Sequence, residues 1–184
     1  MDQHNNLHPL LQTGIFLAPG SYFHVEYSHI YYHELPKTLQ KFHNQRLIRQ
    51  YCLPWPNATT SLLPESIAHE WCQLPKVALG LGLILHTGPL PWWGELAIYT
   101  ELREQFSDPL WQIKHTETPT PQTLLALGAE QLFAYITPFG REYKERLKYM
   151  FSNEVLQLIP SSTKTILPWN IVEETCHYVR KNIA

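Results

Sequence analysis

The longest uninterrupted apolar run in the chain is Val77–Leu85, Val-Ala-Leu-Gly-Leu-Gly-Leu-Ile-Leu, with Lys76 before it and His86 after it. A helix of such residues has no face that can be left in water, so the run must lie at the centre of whatever surrounds it. It is far shorter than the roughly 20 apolar residues that cross a bilayer. Periodicity alone does not separate a buried helix from a buried strand. Pro75, suited to the first turn of a helix, and the helical patterns on either side decide for helix. Gly80 and Gly82 each cost about 1 kcal/mol against alanine in a helix interior. Their place in a core element predicts that a neighbouring helix comes close there.

The rest of the chain reads as helices started by prolines, which are tolerated where the missing N–H would be unpaired anyway. Residues 1–13 are polar and read as a mobile lead-in. Pro19-Gly20 marks a turn, after which Ser21 is placed to cap a helix through Tyr27. Pro36 opens a helix to Tyr51, with Leu39, Phe42 and Leu47 inward and Lys37, Lys41, Arg46 and Arg49 outside. Pro54-Trp55-Pro56-Asn57 breaks the pattern, and Pro64 restarts it with Ile67, Ala68, Trp71 and Cys72 on one side. Gly88 is in place to end the central helix. Pro91, Pro121 and Pro138 open helices over Trp92–Phe106, Gln122–Ile136 and Phe139–Leu158, with a shorter one over Pro109–Lys114. In the third, Glu142 and Arg146 form an i,i+4 pair on the outer face. Pro168 opens a last helix to about Lys181. The expectation is an all-α fold: one compact helical domain over 1–184, built around a buried central helix at about 77–86.

Composition sharpens this picture. Of 184 residues, 44% are hydrophobic and only 16% charged, below the usual ~25% charged, which predicts surfaces covered by partners. The net charge is −2, with no basic stripe, so nucleic acid is excluded as the main partner and membrane-surface binding has no support. Three cysteines at wide spacing, Cys52, Cys72 and Cys176, are no disulfide framework and point to a reducing compartment. The first residues lack the basic and apolar regions of a secretory signal. A cytoplasmic location, without membrane insertion, is expected.

Candidate chemistry is sparse. His29 and His33 stand four apart with His24 nearby, two ligands at most on one helical face, where a zinc site needs three or four. Neither His33-Glu34 nor His69-Glu70 is followed by the second histidine of a metalloprotease helix. Gly80-Leu81-Gly82 lacks the third glycine of a dinucleotide loop, Leu85 standing there. No nucleophile elbow occurs, and Cys176 and His177, adjacent on a helix, point about 100° apart. Glu101 and Glu104 share a face that reads as solvated. Trp55 and Trp93, in loop-flanked positions, could anchor an interface, a role in which tryptophan is enriched. No catalytic, cofactor-binding or metal-binding residue is assigned, which favours a binding or scaffold role.

Two blocks carry a family resemblance. Ala18-Pro19-Gly20-Ser21-Tyr22-Phe23-His24-Val25-Glu26 resembles the N-terminal block of the type III secretion sorting-platform accessory proteins, the SctK (YscK) family: proline, two small residues, Tyr, apolar, His, apolar, Glu. Leu81-Gly82-Leu83-Ile84-Leu85-His86 resembles the central block of the same proteins. The resemblance implies a non-enzymatic helical adaptor at the cytoplasmic face of the inner membrane. It would link the inner-membrane ring protein's cytoplasmic domain to the pod protein of the sorting platform. It implies no catalytic residue and no cofactor. The alternatives are a small metal-dependent hydrolase using His24, His29 and His33, separable by metal content, and a type III secretion chaperone, separable by binding to secreted substrates.

Overall fold

The computed structural model describes residues 7–88, 94–114, 119–160 and 166–183. The fold is all-α. In chain order the helices are α1 (Leu7–Leu17), α2 (Val25–Ser28), α3 (Lys37–Gln50), α4 (Glu65–His69), α5 (Leu74–Leu85), α6 (Thr100–Gln105), α7 (Pro121–Ile136), α8 (Arg141–Lys148), α9 (Asn153–Leu158) and α10 (Trp169–Asn182). Short 3-10 turns cover Pro19–Ser21, Tyr32–Glu34, Trp71–Gln73, Gly94–Tyr99 and Thr137–Phe139. Among the described residues, β structure is limited to β1 (His86–Thr87) and β2 (Ile113–Lys114), paired in parallel. No described helix is long and apolar enough to cross a membrane.

The chain divides into two compact units and enters each twice. The first holds Met1–Cys72 and Ile136–Ser152, the second Gln73–Tyr135 and Asn153–Ala184.

The second unit is built on α5, which is a helix as the apolar run predicts. Val77, Ala78, Leu81, Leu83, Ile84 and Leu85 are each at most 1% exposed; full burial of a leucine or isoleucine is worth about 1.5–3 kcal/mol. A Cβ at Gly80 would stand 3.0 Å from Thr175 of α10 and 3.1 Å from Leu102 of α6. A Cβ at Gly82 would fall on the carbonyl of Leu124, and one at Gly128 on the carbonyl of Ala78. Thus α5 and α7 meet backbone to backbone, each supplying a glycine where the other's carbonyl presses in. Thr120 and Thr123 cap α7 reciprocally: the Thr123 amide donates to Thr120 Oγ1 (3.2 Å) and the Thr120 amide to Thr123 Oγ1 (2.8 Å). The Thr175 hydroxyl, buried in α10, donates to the Ile171 carbonyl at 2.7 Å.

Several expected helices are shorter here. His86, not Gly88, ends α5: its backbone is extended (φ −77°, ψ 125°) and enters β1, while Gly88 takes φ +120° two residues later. Of the expected Trp92–Phe106 helix, Trp92 and Trp93 lie outside the described residues, Gly94–Tyr99 is 3-10, and only Thr100–Gln105 is α. Pro109–Lys114 is not helical. Asp108 Oδ1 accepts from the Leu110 amide (2.9 Å), closing a turn that competes with helix, and the segment runs on into β2. Phe139–Leu158 is interrupted at Gly140, with φ +146°, a conformation that glycine adopts without steric cost, and again between α8 and α9.

The first unit has an aromatic interior. Phe23 stacks on Tyr149 with ring centroids 4.9 Å apart, Tyr51 lies 4.6 Å from Tyr149, and Trp71 meets Tyr22 edge-on at 5.9 Å; such pairs add about 0.5–1.5 kcal/mol beyond area burial. Of the expected lead-in, residues 1–6 lie outside the described residues and 7–13 belong to α1. The reason is tertiary: buried Gln12 donates to the Leu63 carbonyl (3.2 Å) and accepts from the Tyr143 hydroxyl (2.7 Å). Ser21 does not cap a helix either. Its hydroxyl donates to the Ala18 carbonyl (2.7 Å), and α2 starts later, with His24 as its cap.

Candidate interaction surface

The inward face of α3 is the expected one at Leu47 but not at Leu39 and Phe42. His43, Asn44 and Leu47 are buried, whereas Leu39 and Phe42 are 50% and 64% exposed. Asn44 sets the rotation of the helix: its Oδ1 accepts from the Gly20 amide (2.8 Å) and its Nδ2 donates to the Tyr32 hydroxyl (2.9 Å). With that face turned in, Lys41, Gln45, Ile48 and Arg49, which share another face at helical spacing, line an open groove with Leu17 and Trp55, of about 460 Å³. Leu17 and Trp55 are both about half exposed, at 53% and 52%.

The segment carrying Trp55 is tied down by the two residues expected to form a surface pair. Glu142 and Arg146 are instead buried, Arg146 completely. Arg146 Nη1 donates to the Pro54 carbonyl at 2.6 Å and to the Glu142 carbonyl at 3.1 Å. Its guanidinium lies 4.6 Å above the Phe16 ring, a cation–π placement. Burial pushes its pKa down, and Tyr22, Glu142 and Tyr143 act in the opposite sense. Burial in turn pushes the Tyr22 phenol up, and raises Tyr143 to about 12. The Glu142 carboxylate accepts from Asn57 Nδ2 at 2.7 Å, and the Ser61 amide donates to the Phe139 carbonyl at 2.8 Å. The loop after α3 is therefore pinned on both sides of Trp55. The interior of the first unit thereby positions one wall of the groove.

The groove also departs from the even charge of the chain as a whole. No Asp or Glu occurs between Glu34 and Glu65, a span holding Lys37, Lys41, Arg46 and Arg49. Arg46 Nη2 donates to the Ser28 carbonyl (3.4 Å). No carboxylate among the described residues pairs with Lys37, Lys41 or Arg49. Against the expectation of no basic stripe, α3 carries a local one, legible in sequence only as an acid-free window.

The histidines take separate structural places. His24 Nδ1 accepts from the Glu26 amide at 3.4 Å, His29 closes α2 with φ 57°, and His33 lies in a 3-10 turn with its ring edge-on to Tyr32. His29 and His33 are thus not on one helix. Among the described residues no three His, Cys, Asp or Glu side chains come together as a metal site. Cys52 and Cys72 are exposed and Cys176 is buried. His177, Glu101 and Glu104 are exposed, and Trp93 lies outside the described residues.

Residues 12–180 match the family model described as bacterial type III secretion apparatus protein (OrgA_MxiK). The chain belongs to this family. OrgA_MxiK is the family that the blocks at Ala18–Glu26 and Leu81–His86 resemble, and both blocks lie inside the matched span. That span runs from α1 to the last turn of α10, so both units, including every residue lining the groove, are family sequence. No curated protein and no solved structure matches the chain.

Proposed function

We propose that this member of the type III secretion apparatus family is a non-enzymatic adaptor on the cytoplasmic side of the inner membrane. It joins the cytoplasmic domain of the inner-membrane ring protein to the pod protein of the sorting platform. The observation that carries the reading is the family match over residues 12–180; the open groove on α3 supports it by offering a place for a partner. The adaptor is the whole chain, since neither unit is one continuous stretch. An adaptor of this kind needs only modest interfaces, because copies repeated on a ring add avidity through effective concentration.

The test is deletion in a secreting bacterium carrying fluorescent pod protein. The expected result is loss of pod foci at the envelope, a diffuse cytoplasmic signal and no secretion. Purified chain should also capture both partners in one ternary complex. Pod foci that form normally without this chain would falsify the adaptor role.

A further inference from the structure

We infer that the groove lined by Leu17, Lys41, Gln45, Ile48, Arg49 and Trp55 receives an acidic amphipathic helix of a protein partner. This rests on the adaptor reading and names the chemistry of one of its contacts. The groove joins an apolar lining, Leu17, Ile48 and Trp55, to two cations, Lys41 and Arg49. Those cations stand eight residues apart on α3, about 12 Å along the axis at 1.5 Å per residue. A helix laid alongside would meet them with carboxylates seven or eight residues apart. Its apolar residues at i, i+3 and i+4 would turn toward Leu17, Ile48 and Trp55, the helix-in-groove mode of recognition. Charge complementarity selects the sign: no acid lies between Glu34 and Glu65, and Lys41 and Arg49 have no carboxylate partner among the described residues. Acidic side chains on the partner would therefore meet cations that are free to pair, and basic ones would be repelled. An anionic lipid surface fits less well. The apolar groups line a concavity rather than a projecting face, and stable attachment to lipid takes a larger basic patch or a second anchor.

The experiment places a photo-crosslinking residue at Ile48 or Trp55 of the full chain, in secreting cells. The expected product is a cross-link to one protein of the apparatus, within a segment that carries at least two Asp or Glu beside apolar residues. The double variant Lys41→Glu/Arg49→Glu should lose that product, and Lys41→Arg should keep it. Purified chain and the captured partner domain should bind about tenfold more weakly in the double variant, and more weakly in high salt. Cross-linking to lipid, to a neutral or basic segment, or to nothing overturns the inference, as does an unchanged yield in the charge-reversed variant. Failure here is separate from failure of the adaptor reading, which pod foci in the deletion strain decide.

Discussion

In the second unit α5 and α7 come together by having no side chain at the crossing, with Gly82 under the Leu124 carbonyl and Gly128 under that of Ala78. In the first unit the interior is filled instead, by the Tyr22, Phe23, Trp71 and Tyr143 rings and by the guanidinium of Arg146, with half-buried Tyr51 and Tyr149 packed beside Phe23. The first arrangement has no room to adjust, because backbone cannot move out of the way as a side chain can. The second is held by hydrogen bonds from particular side chains, Arg146 to Pro54 and Glu142 to Asn57 among them, that also fix surface segments. It is the second kind of interior that holds the Trp55 loop and so shapes one wall of the groove on α3.

The sharpest way to break this contrast is to put side chains at the crossing. Gly128→Leu should remove about 3 kcal/mol or more, as severe overpacking does, a large share of a total stability of about 5–15 kcal/mol. Even Gly82→Ala should lower the urea midpoint, although alanine favours an isolated helix by about 1 kcal/mol. A Gly82→Ala protein as stable as the parent would mean that the helices do not meet backbone to backbone.

The corresponding lesion in the first unit is Arg146→Ala. It strands the Pro54 carbonyl and empties a fully buried site, a loss of about 3 kcal/mol. Arg146→Lys should recover little of it, since an ammonium lacks the planar fork of the guanidinium. Hydrogen exchange over residues 53–61 should quicken in both variants. Protection that is unchanged there would show that Arg146 does not hold the loop.

The smallest effect sharpens the comparison by pH. His43, buried in α3, has its pKa lowered by burial first and then by Arg46, whose Nη2 is 3.4 Å from its Nδ1; its other ring neighbour is Tyr32. The folded state therefore holds His43 neutral, while the unfolded chain takes up a proton as pH falls through about 6.5. The stability it contributes is present above that value and is lost as pH falls toward the lowered folded value. His43→Gln should make stability less steep between pH 7.5 and 5.5, by less than about 1 kcal/mol. Equal slopes in parent and variant would count against a buried neutral His43.

Much of the second unit was legible because its signals are local. An apolar run without a polar face has only one place to go, and glycines inside it are costly unless something approaches. Pro121 and Pro168 mark helix starts through their own fixed φ, acting within one turn. The groove was legible only in fragments: Trp55 as a loop tryptophan, and the cations of α3 as an outer face. The rotation of that helix was not, because Leu39 and Phe42 match a helical inner face beside Leu47 as well as His43 and Asn44 do.

The amino-acid sequence by itself determined that this chain is helical, where its central helix lies and that a neighbour must come close at its glycines. These follow from propensity, fixed backbone angles and the water-avoidance of an apolar run, all of which act over a few residues. Only the tertiary structure decided that Glu142 and Arg146 are interior, that α3 buries Asn44 and exposes Phe42, and that a groove opens beside Trp55. Whether a charged or amide side chain can be buried depends on finding a partner. The partners here are far away in sequence: Arg146 reaches Pro54 across 92 positions and Glu142 reaches Asn57 across 85. No pattern read along the chain contains that pairing until folding brings the groups together.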